Sequence, residues 1–305
     1  MTLARIFRIE ETHLERSERS RISQTIIYAA LIVFALVSII PILHVVSVSF
    51  STSNAVARSG LMLIPQDFTL DSYQFVFKGG AVQRAFMVTV FITVVGTALS
   101  LLTTTMAAYA LSREDLPGRN LLMIFIIIPM VFSAGIIPGY MLIRNLGLIN
   151  SVWSMILPAM INSFYLILMR NFFETIPASL VESARIDGAG EFTILFRIMI
   201  PLALPAMMTI GLFYAIAYWN EFFRGIFYIT DTQNWPLQVL VRNVVVQADL
   251  NELGMSNRDL YGSQTINQLT IRAATIVVTM APFAILYPFL QRFFIKGIVL
   301  GAEKG

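Results

Sequence analysis

Residues 176–205 read IPASLVESARIDGAGEFTILFRIMIPLALP, and this stretch decides the fold. Pro177 suits the first turn of a helix, and Asp187-Gly188 suits a stop. The spacing therefore predicts a short helix over 176–187. Ala189-Gly190-Glu191-Phe192 restarts a second helix carrying Phe192, Ile194, Leu195, Phe196 and Ile198. That helix runs into Ile200-Pro201-Leu202-Ala203-Leu204-Pro205, the mouth of a long apolar segment. The predicted element is helix, glycine hinge, helix, lying at a membrane surface. Such an element can dock in a groove on a partner and pass rigid-body motion inward; an ordinary interfacial helix pair accounts for the same pattern.

The flanking sequence supplies the membrane. A helical span needs about 20 mostly apolar residues, because each residue rises about 1.5 Å through a hydrocarbon core of about 30 Å. Six runs qualify: 24–50, 86–111, 121–143, 152–169, 198–223 and 273–290, the last extending to Phe294. An even number places both termini on one side. Lysine and arginine then set the orientation. Of the 21 such residues, 13 fall on the N-terminal side of this topology and 8 on the other; Arg5, Arg8, Arg16, Arg19 and Arg21 stand just before the first run. Both ends are therefore expected in the cytoplasm. The first run is too long for a cleaved secretory signal despite Ala55-Val56-Ala57, so it is expected to stay as a span. Residues 10–21, with Glu15 and Arg19 four apart, are expected to form a solvated or membrane-surface helix.

Composition agrees. The 305-residue chain is 57% hydrophobic and 13% charged, against about 25% charged in ordinary soluble domains; its mean hydropathy is +0.74. A soluble enzyme, a disordered chain and a nucleic-acid-binding module are all excluded on that ground. The net charge of +3 reflects few acids rather than a basic patch. With no cysteine and 2 histidines, neither a metal site nor a catalytic residue is expected. His13 and His44 read as solvated and packing histidines.

Few spans carry chemistry of their own. Thr89, Thr93, Gly96, Thr97, Ser100 and Thr104 recur at three and four residues on one face of the second span. They read either as a packing stripe or as a polar pathway wall. Two prolines and two glycines between Pro129 and Gly139 break the third span, either as a cavity-lining or moving element or as a simple kink repaired by neighbouring helices. Mid-membrane carboxylates are nearly absent, which argues against ion coupling. Tyr218-Trp219-Asn220-Glu221, with Asn162 and Tyr165, offers the aromatic faces and amide and carboxylate acceptors that suit a polyhydroxylated solute. Asn162, Tyr218, Asn220 and Glu221 are the candidate substrate-path residues. Glu221 and Arg224 could also simply pair.

Glu182-Ser183-Ala184, three residues, Gly188, nine residues, Ile198, one residue, Ile200-Pro201 resembles the EAA loop of ABC-importer permeases. The family pattern has Ala at the place of Ser183 and Leu at that of Ile200, both mild departures. Asp187-Gly188-Ala189 is the form common in sugar permeases. Residues 107–119, Tyr218-Trp219-Asn220-Glu221-Phe222 and the tail from Arg292 to Gly305 resemble the maltose-type, binding-protein-dependent carbohydrate importers. Trp235-Pro236-Leu237-Gln238 is closest to the branch handling complex oligosaccharides.

The resemblance implies an all-α polytopic protein: six transmembrane helices of the type I ABC importer permease fold, with a cytoplasmic coupling helix pair. It implies a cytoplasmic segment 1–23, a first span 24–50, an extracytoplasmic loop 51–85 and a cytoplasmic tail 295–305. A five-helix core 86–294 would hold the coupling loop 171–197 and an outer loop 227–270. ATPase coupling would fall to Glu182, Ser183, Ala184, Asp187, Gly188, Ala189, Ile198 and Pro201, with Glu182 pairing a basic group on the ATPase. The implied partners are a second, related six-helix permease subunit, two cytoplasmic ABC ATPase subunits, an extracytoplasmic solute-binding protein and membrane lipid. No cofactor is expected on this chain, since it has no glycine-rich Lys-Ser/Thr phosphate loop; ATP and Mg would sit on the ATPase subunits. The expected function is translocation of a sugar or oligosaccharide across the cytoplasmic membrane. The alternatives are an ABC permease for a non-sugar solute, an ion-coupled secondary transporter and an intramembrane enzyme.

Overall fold

The computed structural model describes residues 3–132, 134–246, 266–282 and 284–285, with side chains from residue 23 onward. The chain forms two compact units, Met1–Tyr73 with Ser263–Val277, and Gln74–Gly262 with Val278–Gly305. Among the described residues there is no strand; sheet-type pairing is limited to one bridge between Ser51 and Phe68.

In the first unit a single helix runs from Leu3 to Ser49, with Pro41 inside it. The helix expected over 10–21 is its N-terminal part, continuous with the first span. Its apolar segment Ser23–Ser49 has 27 residues, about 40 Å at the α-helical rise. None of its most apolar window is buried within the chain. Phe34 (72% exposed) and its neighbours face outward, as lipid or another subunit requires. The far end is tied down by polar contacts. The Met62 N–H donates to His44 Nδ1 at 3.1 Å, the Gln66 N–H donates to Ser51 Oγ at 3.0 Å, and the Ser49 and Tyr73 hydroxyls share a 2.7 Å bond. His44 is thus a packing histidine.

In the second unit the helix Ala81–Ser112 is the centre. Lipid gives helices no hydrophobic drive to associate, so close packing and interhelical hydrogen bonds must do it. The stripe read from the sequence does both. Gly96 lies under the ring of Tyr218, where an added Cβ would sit 2.7 Å from Cζ. The Ser100 hydroxyl bonds Tyr218 Oη at 2.9 Å, and the Thr104 hydroxyl bonds Tyr214 Oη at 2.7 Å. Ser100 and Thr104, four apart, thus meet Tyr218 and Tyr214, four apart, as two antiparallel ladders. Thr89 Oγ1 accepts from the Leu237 N–H at 2.8 Å. Thr89, Gly96, Ser100 and Thr104 are thus packing positions, while the Thr93 and Thr97 hydroxyls are buried with no hydrogen-bond partner among the described residues.

Three expected spans are broken. The third is two helices, Arg119–Val131 and Ile136–Asn145, separated around Gly135, whose φ is +82°. The fourth starts as Trp153–Ile156, passes through a 3-10 turn at Leu157–Ala159 and restarts at Ser163–Glu174, bent by 47°. Asn162 restarts it, its Oδ1 accepting from the Phe164 and Tyr165 N–H groups. The fifth bends by 84° between Glu191–Leu202 and Leu204–Trp219. Pro205 has no N–H to donate to Pro201, and its ring clashes with that carbonyl, so the chain turns at Ala203. Of the sixth, helix is described over 268–282 and at 284–285; residues 283 and 286–294, the outer-loop residues 247–265 and the tail 295–305 lie outside the described residues.

At the Ser112 end, two arginines converge on one carbonyl. Arg119 Nε and Arg170 Nε both donate to Leu111 O, at 2.9 and 3.2 Å. Both also pair with Glu174, each at 2.5 Å. Two cations at the negative end of the central helix complement its dipole and tie together three elements. At the opposite end, Asn150 takes a positive φ of +61°. Its Oδ1 accepts from the N–H groups of Thr230 and Asp231, at 2.6 and 3.1 Å.

Candidate functional site

The surface element begins where Pro177 precedes the helix Ala178–Ile186. Val181 and Ala184, three apart, are buried, at 3% and 9% exposure. They seat one face against a cluster that includes Tyr109, Phe173, Ile194 and Leu195. Glu182, Ser183, Arg185 and Ile186 occupy the exposed face. Glu182 has no hydrogen-bond or ion-pair partner among the described residues.

The stop is a Schellman turn. The Gly188 N–H donates to Arg185 O at 3.0 Å, and the Ala189 N–H to Ala184 O at 2.9 Å. Such a turn needs a left-handed residue, and Gly188 has φ +83°. Nothing lies within 4 Å of a Cβ built there, so backbone conformation alone demands glycine. Asp187 supplies the cap, its N–H donating to Ser183 O at 3.0 Å. The second helix, Glu191–Ile194, passes into a π turn at Leu195–Met199 and then Ile200–Leu202. Ala189 and Ile198 are half-buried and Pro201 is exposed. Ile186 and Phe192 stand out, at 86% and 69% exposure.

An ionic network spans the turn. Arg185 Nε donates to Glu191 Oε1 at 2.9 Å, and Arg185 Nη2 reaches the same oxygen at 2.5 Å. Arg185 also donates to Asp115 Oδ2 at 3.3 Å. The Tyr109 hydroxyl donates to Glu191 Oε2 at 2.5 Å. The Tyr109 hydrogen bond, helped by Arg185 and opposed by partial burial, holds the Glu191 carboxyl below the usual carboxylate range. Tyr109, Asp115 and Arg185 carried no weight in the sequence; an Arg and a Glu facing each other across a glycine turn was the available signal. Beside the network lies a cavity of about 420 Å³, lined by Met106, Tyr109, Leu116, Pro117 and Phe192 among others.

The four substrate-path candidates fare differently. Tyr218 is 2% exposed; its hydroxyl also donates to Ile156 O at 3.2 Å. Glu221 is 5% exposed, ion-paired with Arg224 at 2.8 Å, while Arg224 Nη1 donates to Met155 O at 3.1 Å. Both are buried with their polar atoms bonded inside the chain. Asn162 is exposed, but its Oδ1 is spent as a helix cap. Asn220 is exposed; its Nδ2 donates to Ile216 O at 2.9 Å and its Oδ1 accepts from Gln238 Nε2 at 3.3 Å. The sequence missed Gln238 as a member of this pair.

Known proteins share this architecture. The family model described as "Binding-protein-dependent transport system inner membrane component" matches residues 14–299. The Bacillus subtilis polygalacturonan/rhamnogalacturonan transport system permease protein YtcP is 43% identical over 94% of this chain and 100% of its own length. The arabinooligosaccharides transport system permease protein AraQ of Halalkalibacterium halodurans is 33% identical, covering 89% of this chain and 93% of its own. A crystal structure of a bacterial ABC transporter involved in the import of the acidic polysaccharide alginate contains a chain that superposes with a TM-score of 0.84. That chain is 34% identical, with 90% of this chain and 97% of that one covered. The family expected from the 176–201 spacing is thus the family found: the chain belongs to the binding-protein-dependent transport system inner membrane components, the permease subunits of ABC importers.

Proposed function

We propose that this permease carries an oligosaccharide, of the class that includes uronate-containing chains, and that residues 176–201 couple it to ATP hydrolysis on separate subunits. The observation that carries the coupling reading is the helix Ala178–Ile186. It is seated by Val181 and Ala184 while Glu182 stands exposed beside a glycine turn. On this reading Glu182 meets a basic group of an ATPase subunit. Ser183 and Ala184 keep the helix slim, Asp187, Gly188 and Ala189 make the turn, and Ile198 and Pro201 lead motion into the fifth span. ATP and Mg reside on the ATPase subunits, and this chain has no hydrolytic site of its own. A related permease subunit, two ATPase subunits and an extracytoplasmic binding protein complete the assembly, with both termini of this chain in the cytoplasm. The relatives named for polygalacturonan, arabino-oligosaccharide and alginate transport support the cargo class.

Mechanistically this is a population shift. ATP-driven closure of the partner subunits favours one packing of the permease helices, and nucleotide loss favours the other. The test is uptake by the reconstituted assembly with its binding protein, comparing a galacturonate-containing with a neutral oligosaccharide. Uptake that requires both ATP and the binding protein is expected. Uptake driven by an ion gradient without ATP would instead mark a secondary transporter, and transport of a non-carbohydrate solute alone would overturn the cargo.

The turn gives a sharper test. Gly188→Val is expected to cut uptake strongly with normal amounts of permease in the membrane. A left-handed β-branched residue costs at least about 1–2 kcal/mol, and the turn escapes that cost by opening. Gly188→Asn, which tolerates the conformation better, should keep most of the transport. Equal uptake in Gly188→Val and wild type would show that the turn does not matter.

A further inference from the structure

We propose that Arg185 is a positioning residue: it fixes the two surface helices to the end of the central helix Ala81–Ser112, so that displacement of the pair moves that helix. This rests on the coupling reading of residues 176–201 given above.

A Schellman turn around a glycine is a joint, not a brace. Nothing lies within 4 Å of an added Cβ at Gly188, so the turn itself is unpacked. Val181 and Ala184 seat the first helix, and Ile194 and Leu195 seat the second. These residues share one buried cluster with Tyr109, which joins both helices to the central helix on the buried side; toward Phe192 a cavity of about 420 Å³, lined also by Met106, Tyr109 and Leu116, leaves a gap in that packing. The polar network bridges that gap. Arg185 holds Glu191 across the joint at 2.5 and 2.9 Å and Asp115, just past the central helix, at 3.3 Å. Glu191 is held from its other oxygen by Tyr109, which belongs to the central helix. Tyr109 is firmly set: 6% exposed, with its ring edge-on to Phe173 at 6.1 Å between centroids. The closed path is therefore first surface helix, Arg185, Glu191, Tyr109, central helix.

The Arg185 and Glu191 side chains are 39% and 50% exposed. Ion pairs this exposed contribute little to stability, so the network serves geometry. A planar guanidinium with several fixed donors holds Glu191 and Asp115 at once, which an ammonium does less well.

The test uses the complete transporter with its binding protein in proteoliposomes, reading cargo moved per ATP hydrolysed. Arg185→Gln is expected to retain the ATPase subunits and their basal hydrolysis but to lower that ratio by about tenfold, a typical coupling magnitude. Arg185→Lys, able to reach one carboxylate at a time, should fall between. Adding Glu191→Gln to Arg185→Gln should cost little more, since both break one path. An unchanged ratio in Arg185→Gln overturns the proposal. So does release of the ATPase in Arg185→Gln with binding and ratio both fully restored in Arg185→Lys, because Arg185 would then be a docking group. If Arg185→Gln does not accumulate, Tyr109→Phe cuts the same path from its other end, and a wild-type ratio there also overturns it. Glu182→Lys separates the two levels. If that variant keeps wild-type uptake per ATP, the coupling reading itself fails, whatever Arg185 does.

Discussion

Replacing Glu182 with lysine is expected to abolish uptake while leaving the permease folded and inserted. Glu182 is exposed and has no partner among the described residues, so reversing its charge costs the isolated subunit only about 0.5 kcal/mol or less. Against a basic group on an ATPase the same change replaces attraction with repulsion, and like charges across an interface cost several kcal/mol. Membrane content of the variant, ATPase co-purification and uptake separate the two effects. Normal membrane content with lost ATPase and lost uptake is the expected combination. Wild-type uptake would remove Glu182 from the interface.

The second large effect concerns the fold. Gly96→Leu is expected to destabilise the second unit severely, because its Cβ alone would stand 2.7–2.8 Å from three atoms of the Tyr218 ring. The ring cannot swing aside cheaply, since its hydroxyl is held by Ser100 and by Ile156 O. Overpacking in a well-packed core costs typically about 1–3 kcal/mol, and here hydrogen bonds are lost as well. Intrinsic tryptophan fluorescence during thermal unfolding in detergent reads this directly, with Trp219 next to the affected ring and edge-on to Phe86. Tyr218→Ala alone leaves a cavity. In combination with Gly96→Leu the two changes should partly compensate, and simple additivity would show that Gly96 and Tyr218 do not share the space described.

The two units differ in how far their residues announced them. The apolar runs and the Pro-to-Gly frame of 177–188 were legible because hydropathy over twenty residues and the need for a left-handed residue are local facts. The bends at Ala203 and around Asn162 were not. Proline pairs and caps permit a break, but its size depends on neighbours far along the chain. The packing stripe could be seen without its partner; Tyr214 and Tyr218 have the same four-residue spacing and could have been matched to Ser100 and Thr104. Tyr218 and Glu221 show the limit of residue type, since both are buried and internally bonded. Aromatic, hydroxyl and carboxylate groups that suit a sugar equally suit a buried hydrogen-bonded core, and residue type cannot choose between them. The Arg185–Glu191–Tyr109 path depends on residues 82 positions apart in its last contact, which no local pattern reveals.

The π turn at Leu195–Met199 holds one residue more than an α turn over nearly the same rotation. Deleting one residue among 195–199 would therefore let the coil close to an ordinary α turn with Glu191 still facing Arg185 and Tyr109. The same deletion at 200–202, an ordinary α turn with no surplus residue, would swing Glu191 by about 100° about the helix axis, away from both. The five positions are a slack link that absorbs a change of length its neighbours cannot.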